Sequence, residues 1–237
     1  MKIADLFREL SYGELSNLSL SNSGSGEINA SKHPQVIKYT NDGLTALYSR
    51  FVLAEKELLL EQVEGVTQYH IKLKHTVSAG QSGEDHYIKD AADPFQDDLV
   101  KILQVWDMAG CQLPLNDTGR DDSLFTPQHH ILQVPTPNQG EPLAVIYQAK
   151  AKKLSDKADG DLDILAQEFE LPVIFENALQ QYIAHKVFFH IGGQENLIKS
   201  QGYLSTYEAI CLEVEQRDLA NQTFNTSHSK LEQRGFV

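Results

Sequence analysis

Cysteines, long apolar runs and clustered cations are all scarce in this chain, and each scarcity excludes a class of protein. The two cysteines, Cys111 and Cys211, lie far apart and form no CxxC pair, which predicts reduced thiols rather than a disulfide framework or a zinc site. No apolar run approaches the roughly 18–20 residues that a membrane helix needs, so no membrane partner is expected. Hydrophobic residues still make up 41% of the 237 positions, which is enough to build a buried core.

The charge is strongly one-sided. Against 33 acidic residues the chain has 20 Lys and Arg, giving a net charge of −13. The one local basic group, Lys150, Lys152 and Lys153, is more typical of a solvated strand end than of a nucleic-acid patch. A surface of this sign argues against tight DNA binding, although it suits a wall past which DNA slides without adhering.

Sequence motifs for catalysis are also missing. The chain has no P-loop, GxGxxG, GxSxG or HExxH pattern. With 9 histidines a Ser/His/Asp set can be assembled on paper from almost any such sequence, so that possibility carries no weight. We therefore expect no catalytic residues and no cofactor.

One acidic stretch resembles a calcium loop. Asp159, Asp161, Asp163 and Glu170 occupy the first, third, fifth and twelfth places of an EF-hand loop. The sixth place, where Gly makes a sharp turn, holds Ile164, and a β-branched residue opposes that backbone conformation. The pattern favours an acidic linker without a metal, and a calcium-dependent binding module that uses Asp159–Glu170 stays as the alternative.

The histidines form no recognisable metal motif. His129 and His130 are adjacent, and we predict that they lie on a strand with their side chains pointing apart. His185 and His190 are five positions apart, not the four that would place them on one face of a helix. Surface or core histidines are the simpler interpretation.

Helical periodicity marks the beginning of the chain. Residues 2–10 are predicted to form a short helix, followed by a Ser/Asn/Gly-rich loop over 16–31. Ser31 is a plausible N-cap for the next helix, with Pro34 in its first turn.

Alternating patterns then predict a β-rich region. The residues around Glu64-Gly65 are predicted to form a hairpin, because apolar residues alternate on both sides of that turn. LVKILQVWD, CQLPL, ILQV and PLAVIYQAK indicate further strands, which together predict a small antiparallel sheet or sandwich.

Helical periodicity returns towards the end. Leu171-Pro172 is predicted to begin a helix, Gly192-Gly193 to end it, and the following helix to include Leu197 on its buried face. The predicted fold is α+β: a bundle of two N-terminal helices and a C-terminal helical hairpin, with an inserted small antiparallel β-domain. The predicted limits are 1–55 for the first helices, 56–154 for the β-domain, 155–220 for the helical hairpin and 221–237 for an extended C-terminal tail.

This order of elements, together with several short stretches of sequence, resembles that of a known family. The stretches that carry the likeness are LFRELSYGELSNLSL, HPQVIKYTNDGLTALYSRF, PFQDDLVKILQVWD, SLFTPQ, LQVPTP, the long segment from LPVIFENALQQYIAHKVFFHIGG to EVEQRDL, and the final KLEQRGFV. With them the chain resembles the bacteriophage head–tail adaptors, the portal-associated connectors of short-tailed and related phages, over nearly its whole length.

The resemblance implies a structural virion protein and not an enzyme. Such a protein would be assembled in the host cytoplasm and placed at the head–tail junction, as a homo-oligomeric, commonly dodecameric, ring. Its expected partners are the portal protein, the nozzle or tube proteins of the tail, other copies of itself, and genomic DNA that passes through the channel without tight binding. The resemblance places the portal interface in the C-terminal tail, at Phe224, Leu231, Arg234, Phe236 and Val237.

Overall fold

A computed structural model describes residues 1–16, 18, 27–77, 86–90, 94–156 and 163–220 of the chain. Within these ranges the chain combines α-helices with antiparallel sheets, and the predicted α+β class is confirmed. The helices lie towards the two ends of the sequence and the strands lie between them.

Four helices share one apolar core. They are α1 (Ile3–Tyr12), α2 (His33–Arg50), α3 (Glu176–Ile191) and α4 (Gln194–Gln216). Each contributes residues that are fully buried, among them Leu6, Ile37, Leu179 and Cys211. Helices α2 and α3 pack closely at Gly43, where an added Cβ would lie 2.6 Å from Cδ1 of Leu179. A larger residue there would force the two helices apart.

The predicted cap of α2 is wrong. A 3-10 turn, Ala30–Lys32, precedes the helix, and the side chain of Asn29 accepts a hydrogen bond from the backbone N–H of Ser31. Asn29 therefore caps the 3-10 turn, and Ser31 donates the hydrogen bond to it. The helix itself begins at His33 with Pro34 in its first turn, as predicted, because proline has no N–H to leave unsatisfied there.

The predicted start of the C-terminal hairpin is also wrong. Pro172 has an extended backbone (ψ 140°) and precedes a 3-10 turn, Val173–Phe175, so α3 begins only at Glu176. The predicted end is confirmed, since Gly192 and Gly193 both have positive φ, a conformation that favours glycine.

Eight strands of the described chain form two antiparallel sheets. They are β1 (Glu55–Glu61), β2 (Gln68–His70), β3 (Ile88–Lys89), β4 (Leu99–Trp106), β5 (Gln112–Leu113), β6 (Phe125–Gln128), β7 (Ile131–Gln133) and β8 (Pro142–Ala149). The first sheet has the order β3-β1-β8-β4-β5 and the second has the order β2-β7-β6. A second apolar core, which includes Leu60, Tyr69, Val105 and Leu132, is formed by residues of both sheets.

The hairpin predicted around Glu64-Gly65 does not form. The turn exists, but β1 pairs with β8 and β3, whereas β2 pairs with β7 in the other sheet. Tyr69 of β2 is completely buried, and its hydroxyl accepts a hydrogen bond from the N–H of Val63 at 2.9 Å. The alternating pattern thus indicates that these residues are buried against a core. It does not indicate that the two strands pair across the turn.

Polar contacts join the helices to the first sheet. The buried side-chain amide of Gln148, on β8, donates hydrogen bonds to the carbonyls of Tyr48 and Phe51 at the end of α2. The side chain of Asn41 both donates to and accepts from the backbone of Leu154. The predicted domain limits stay a prediction, since two cores in one chain do not by themselves define two folding units.

Candidate functional site

The residues predicted to bind the portal lie outside the described part of the chain. This holds for Phe224, Leu231, Arg234, Phe236 and Val237. The described residues nevertheless offer several places where a site could be sought.

The acidic stretch provides a turn cap where it is described. Asp159 and Asp161 lie outside the described residues, whereas Asp163 accepts a hydrogen bond from the N–H of Leu165 at 3.0 Å and caps the 3-10 turn Ile164–Ala166. The carbonyl of Glu170 accepts a hydrogen bond from the hydroxyl of Tyr48. Over the described ranges, no group of three or more His, Cys, Asp or Glu side chains has a geometry that could hold a metal ion.

The prediction for His129 and His130 is wrong. They lie in the turn between β6 and β7, and their rings meet edge to face with 4.6 Å between the centroids. The ring of His70 lies 6.0 Å from that of His130. Burial, together with the nearby Lys72, lowers the pKa of His130 and so favours the neutral form of its imidazole.

A serine and a histidine meet between α3 and α4. Nδ1 of His185 lies 2.9 Å from Oγ of Ser200 and 3.1 Å from its carbonyl oxygen, and Ser200 Oγ donates to the carbonyl of His185 at 3.1 Å. A proton on Nδ1 satisfies these contacts, with the ring donating to Ser200. In that tautomer Nδ1 is a donor, and the pair links α3 to α4 through hydrogen bonds. Burial lowers the pKa of His185.

The thiol of the buried cysteine is poorly suited to act as a nucleophile. Cys211 is fully buried beside Tyr207, and burial raises the pKa of its thiol. A thiol with a raised pKa is mostly protonated at neutral pH, and the thiolate is the form that reacts. Arg50 lies nearby and joins α2 to α4 through Glu208 and Glu215, each at 2.7 Å.

Large apolar side chains are exposed at both ends of the α3–α4 hairpin. The hairpin tip, next to the glycine turn, consists of Phe189, Ile191, Leu197 and Ile198, which are between 40% and 64% exposed. The hairpin base, at the other end, consists of Val173, Ile174, Leu212 and Leu219, which are between 39% and 78% exposed. The prediction that Leu197 is buried is therefore wrong, because apolar residues lie on both faces of α4 and the pattern does not single out one of them.

A groove separates the helices from one end of the first sheet. It has a volume of about 1090 Å³. One wall consists of Lys56 near the start of β1, residues 96–98 before β4 and residues 150–153 after β8, and the other wall is the segment Glu168–Pro172. Leu53 and Ala54, which connect α2 to β1, and Phe169 contribute apolar surface. The three lysines predicted to be a solvated strand end, Lys150, Lys152 and Lys153, all line this groove.

Neither a membrane-spanning helix among the described residues nor a matching family or curated protein was found. No helix in the described ranges combines the length and the apolar composition needed to cross a membrane. Searches against protein-family models and against curated proteins find no match to this chain.

Proposed function

We propose that this protein is a structural, non-enzymatic virion protein: a head–tail adaptor that forms a ring, docks on the portal, extends the DNA channel and offers an attachment surface to tail components. The observation that carries the proposal is the exposed apolar surface at the hairpin tip and the hairpin base. A helix with apolar side chains on both faces is typical of a helix that is covered on both faces.

Self-association explains this surface. Large exposed apolar patches are rare on monomeric proteins, and they commonly mark interfaces. The tip and the base carry different residues at opposite ends of the hairpin, so a contact that joins one to the other is heterologous. Heterologous contacts close into a ring when a whole number of the rotations between neighbours makes one full turn. A ring of this kind is what the adaptor function requires.

The charge and the tail fit the same function. A net charge of −13 keeps the surface from adhering to DNA, which a channel wall requires. The predicted tail, residues 221–237, carries two phenylalanines and an arginine among mostly polar residues. Aromatic and arginine side chains dominate binding energy at interfaces, so the tail supplies the portal contact in this proposal.

The test measures self-association and portal attachment on the same set of variants. Phe189→Asp with Ile198→Asp alters the hairpin tip, and Met108→Asp with Leu73→Asp is the control, because it adds the same charge at exposed apolar residues of the strand-rich part. Light scattering gives the mass of each variant, and electron microscopy with portals shows docking. We expect the tip variant to lose ring formation and the control to keep it.

A truncation after Ala220 separates docking from self-association. We expect the truncated chain to form rings in solution and to fail to attach to portals, with Phe236→Ala and Arg234→Ala each causing part of that loss. A full-length chain that stays monomeric at high concentration and leaves portals bare would disprove the proposal. A truncated chain that still docks would move the portal contact to the helices.

A further inference from the structure

We infer that the groove between the helices and the first sheet binds an extended, acidic peptide segment of a partner protein. The inference does not depend on the adaptor function. It begins with Lys150, Lys152 and Lys153, named here the lysine rim. All three are exposed and line the groove, and within the described chain none of them has an ion-pair partner.

The other charges in the groove are largely matched. Lys56 contacts Asp98 at 2.7 Å, and the same carboxylate accepts a hydrogen bond from the hydroxyl of Tyr147. Glu168 lies 3.6 Å from Lys2. Both of these acids therefore already have cations beside them.

The remaining balance is positive. After these pairs are removed, Asp97 and Glu170 are the acids that stand against the lysine rim, two against three. The chain as a whole has a net charge of −13, so the groove is a place where an acidic segment meets an excess of cations instead of repulsion.

The backbone beside the lysine rim is open for pairing. Strand β8 ends at Ala149, whose N–H donates to Ala54, and the N–H of Lys150 donates to Asp98. Beyond these bonds the chain continues without secondary structure to Leu154, which is held by Asn41. The N–H and C=O groups of residues 151–153 form no hydrogen bond with any other described residue.

Backbone N–H and C=O groups without partners are what strand addition requires. An added peptide strand gains main-chain hydrogen bonds for affinity, and its alternate side chains give specificity. Here carboxylates would face the lysine rim, and apolar side chains would meet Leu53, Ala54 and Phe169. The groove, with a volume of about 1090 Å³, has room for a short peptide segment.

The test uses the full-length protein and fluorescence anisotropy. The probe is a short labelled peptide in which Asp and Val alternate, compared with the same peptide carrying Lys in place of Asp. We expect the acidic peptide to bind, its affinity to fall as salt is raised, and the lysine peptide not to bind. Lys152→Glu with Lys153→Glu should weaken binding by about tenfold or more, because two charge contacts become repulsive.

Two controls make the result decisive. Lys32→Glu with Lys38→Glu makes the same change in net charge at exposed positions away from the groove, and should bind the acidic peptide like the original protein. An acidic peptide with all of its backbone amides methylated keeps its charges and loses its backbone hydrogen-bond donors, and should bind weakly. Equal weakening by both double variants, or undiminished binding of the methylated peptide, would overturn the inference.

Discussion

The helical part and the strand-rich part differ in how they expose large apolar side chains. In the helical hairpin, four such residues gather at the tip and four at the base. In the strand-rich part, Leu59, Leu73 and Met108 are exposed singly, on β1, on a 3-10 turn and in the turn after β4. Single exposed apolar residues are ordinary on a protein surface, whereas groups mark interfaces. The comparison supports the proposal that self-association uses the helices.

The largest effect on stability should come from the cores themselves. Phe175 is fully buried, with its ring 4.6 Å from that of Phe51, and Leu60 is fully buried in the other core. We expect Phe175→Ala to lower the free energy of unfolding by about 3–5 kcal/mol and Leu60→Ala by about 2–5 kcal/mol. Urea unfolding, followed by circular dichroism for the helices and by the fluorescence of the chain's one tryptophan, Trp106, measures both.

The same experiment tests whether the two parts unfold together. Trp106 lies on β4, so its fluorescence follows the first sheet. We expect the two signals to change at the same urea concentration in each variant, because polar contacts join α2 to β8. Two separate transitions, with Phe175→Ala moving the helical one alone, would show independent domains instead.

The second-largest effect should come from the contact that joins the two parts. Gln148→Ala removes the donor to the buried carbonyls of Tyr48 and Phe51. Leaving a buried polar group unsatisfied costs about 1–3 kcal/mol, so we expect a loss in that range and a gap between the circular dichroism and fluorescence transitions. Gln128→Ala, at an exposed position on β6, is the control and should change neither quantity. Coincident, unshifted transitions in Gln148→Ala would show that this contact does not couple the two parts.

Sequence patterns predicted the helices better than the sheets for a physical reason. The side chains that define a helical face lie three and four positions apart, so the pattern of α3, with Ala178, Leu179 and Ile183 buried, is contained in the helix itself. Strand pairing is not local: β1 pairs with β8, from the other end of the strand-rich part. Alternation along β1 and β2 predicted their burial correctly and their partners wrongly.

The candidate surfaces were harder to predict. The exposed tip and base depend on which face of α3 and α4 meets the other helices, and both faces carry apolar residues. The lysine rim was visible in the sequence as three lysines in four positions. Nothing in the sequence indicated that the segment Glu168–Pro172 lies opposite these lysines and forms the second wall of the groove.

A smaller effect should follow a change of pH. Burial lowers the pKa of His185 in the folded chain below its ordinary value of about 6.5. Between those two pKa values the unfolded chain binds more protons, so this histidine reduces stability as pH falls below about 6.5. We expect His185→Gln to lose less stability between neutral and mildly acidic pH than the original chain, measured as the shift of the urea midpoint. A larger loss in the variant would show that protonated His185 is stabilised in the fold.

The smallest effect should be that of chelation, which separates the adaptor function from the calcium-dependent alternative. Asp163, at the fifth place of the hypothetical loop, caps a 3-10 turn, and Ile164 begins that turn at the place where a calcium loop has glycine. Gln167 strengthens this arrangement, since its amide donates to the carbonyls of Ser155 and Ile164. We therefore expect EDTA, or added calcium, to leave the melting temperature unchanged. An ion present at 100 times its dissociation constant would add about 2.7 kcal/mol, a shift of several degrees that calorimetry detects readily. Such a shift, lost in Asp163→Asn, would establish the calcium-dependent module in place of the linker.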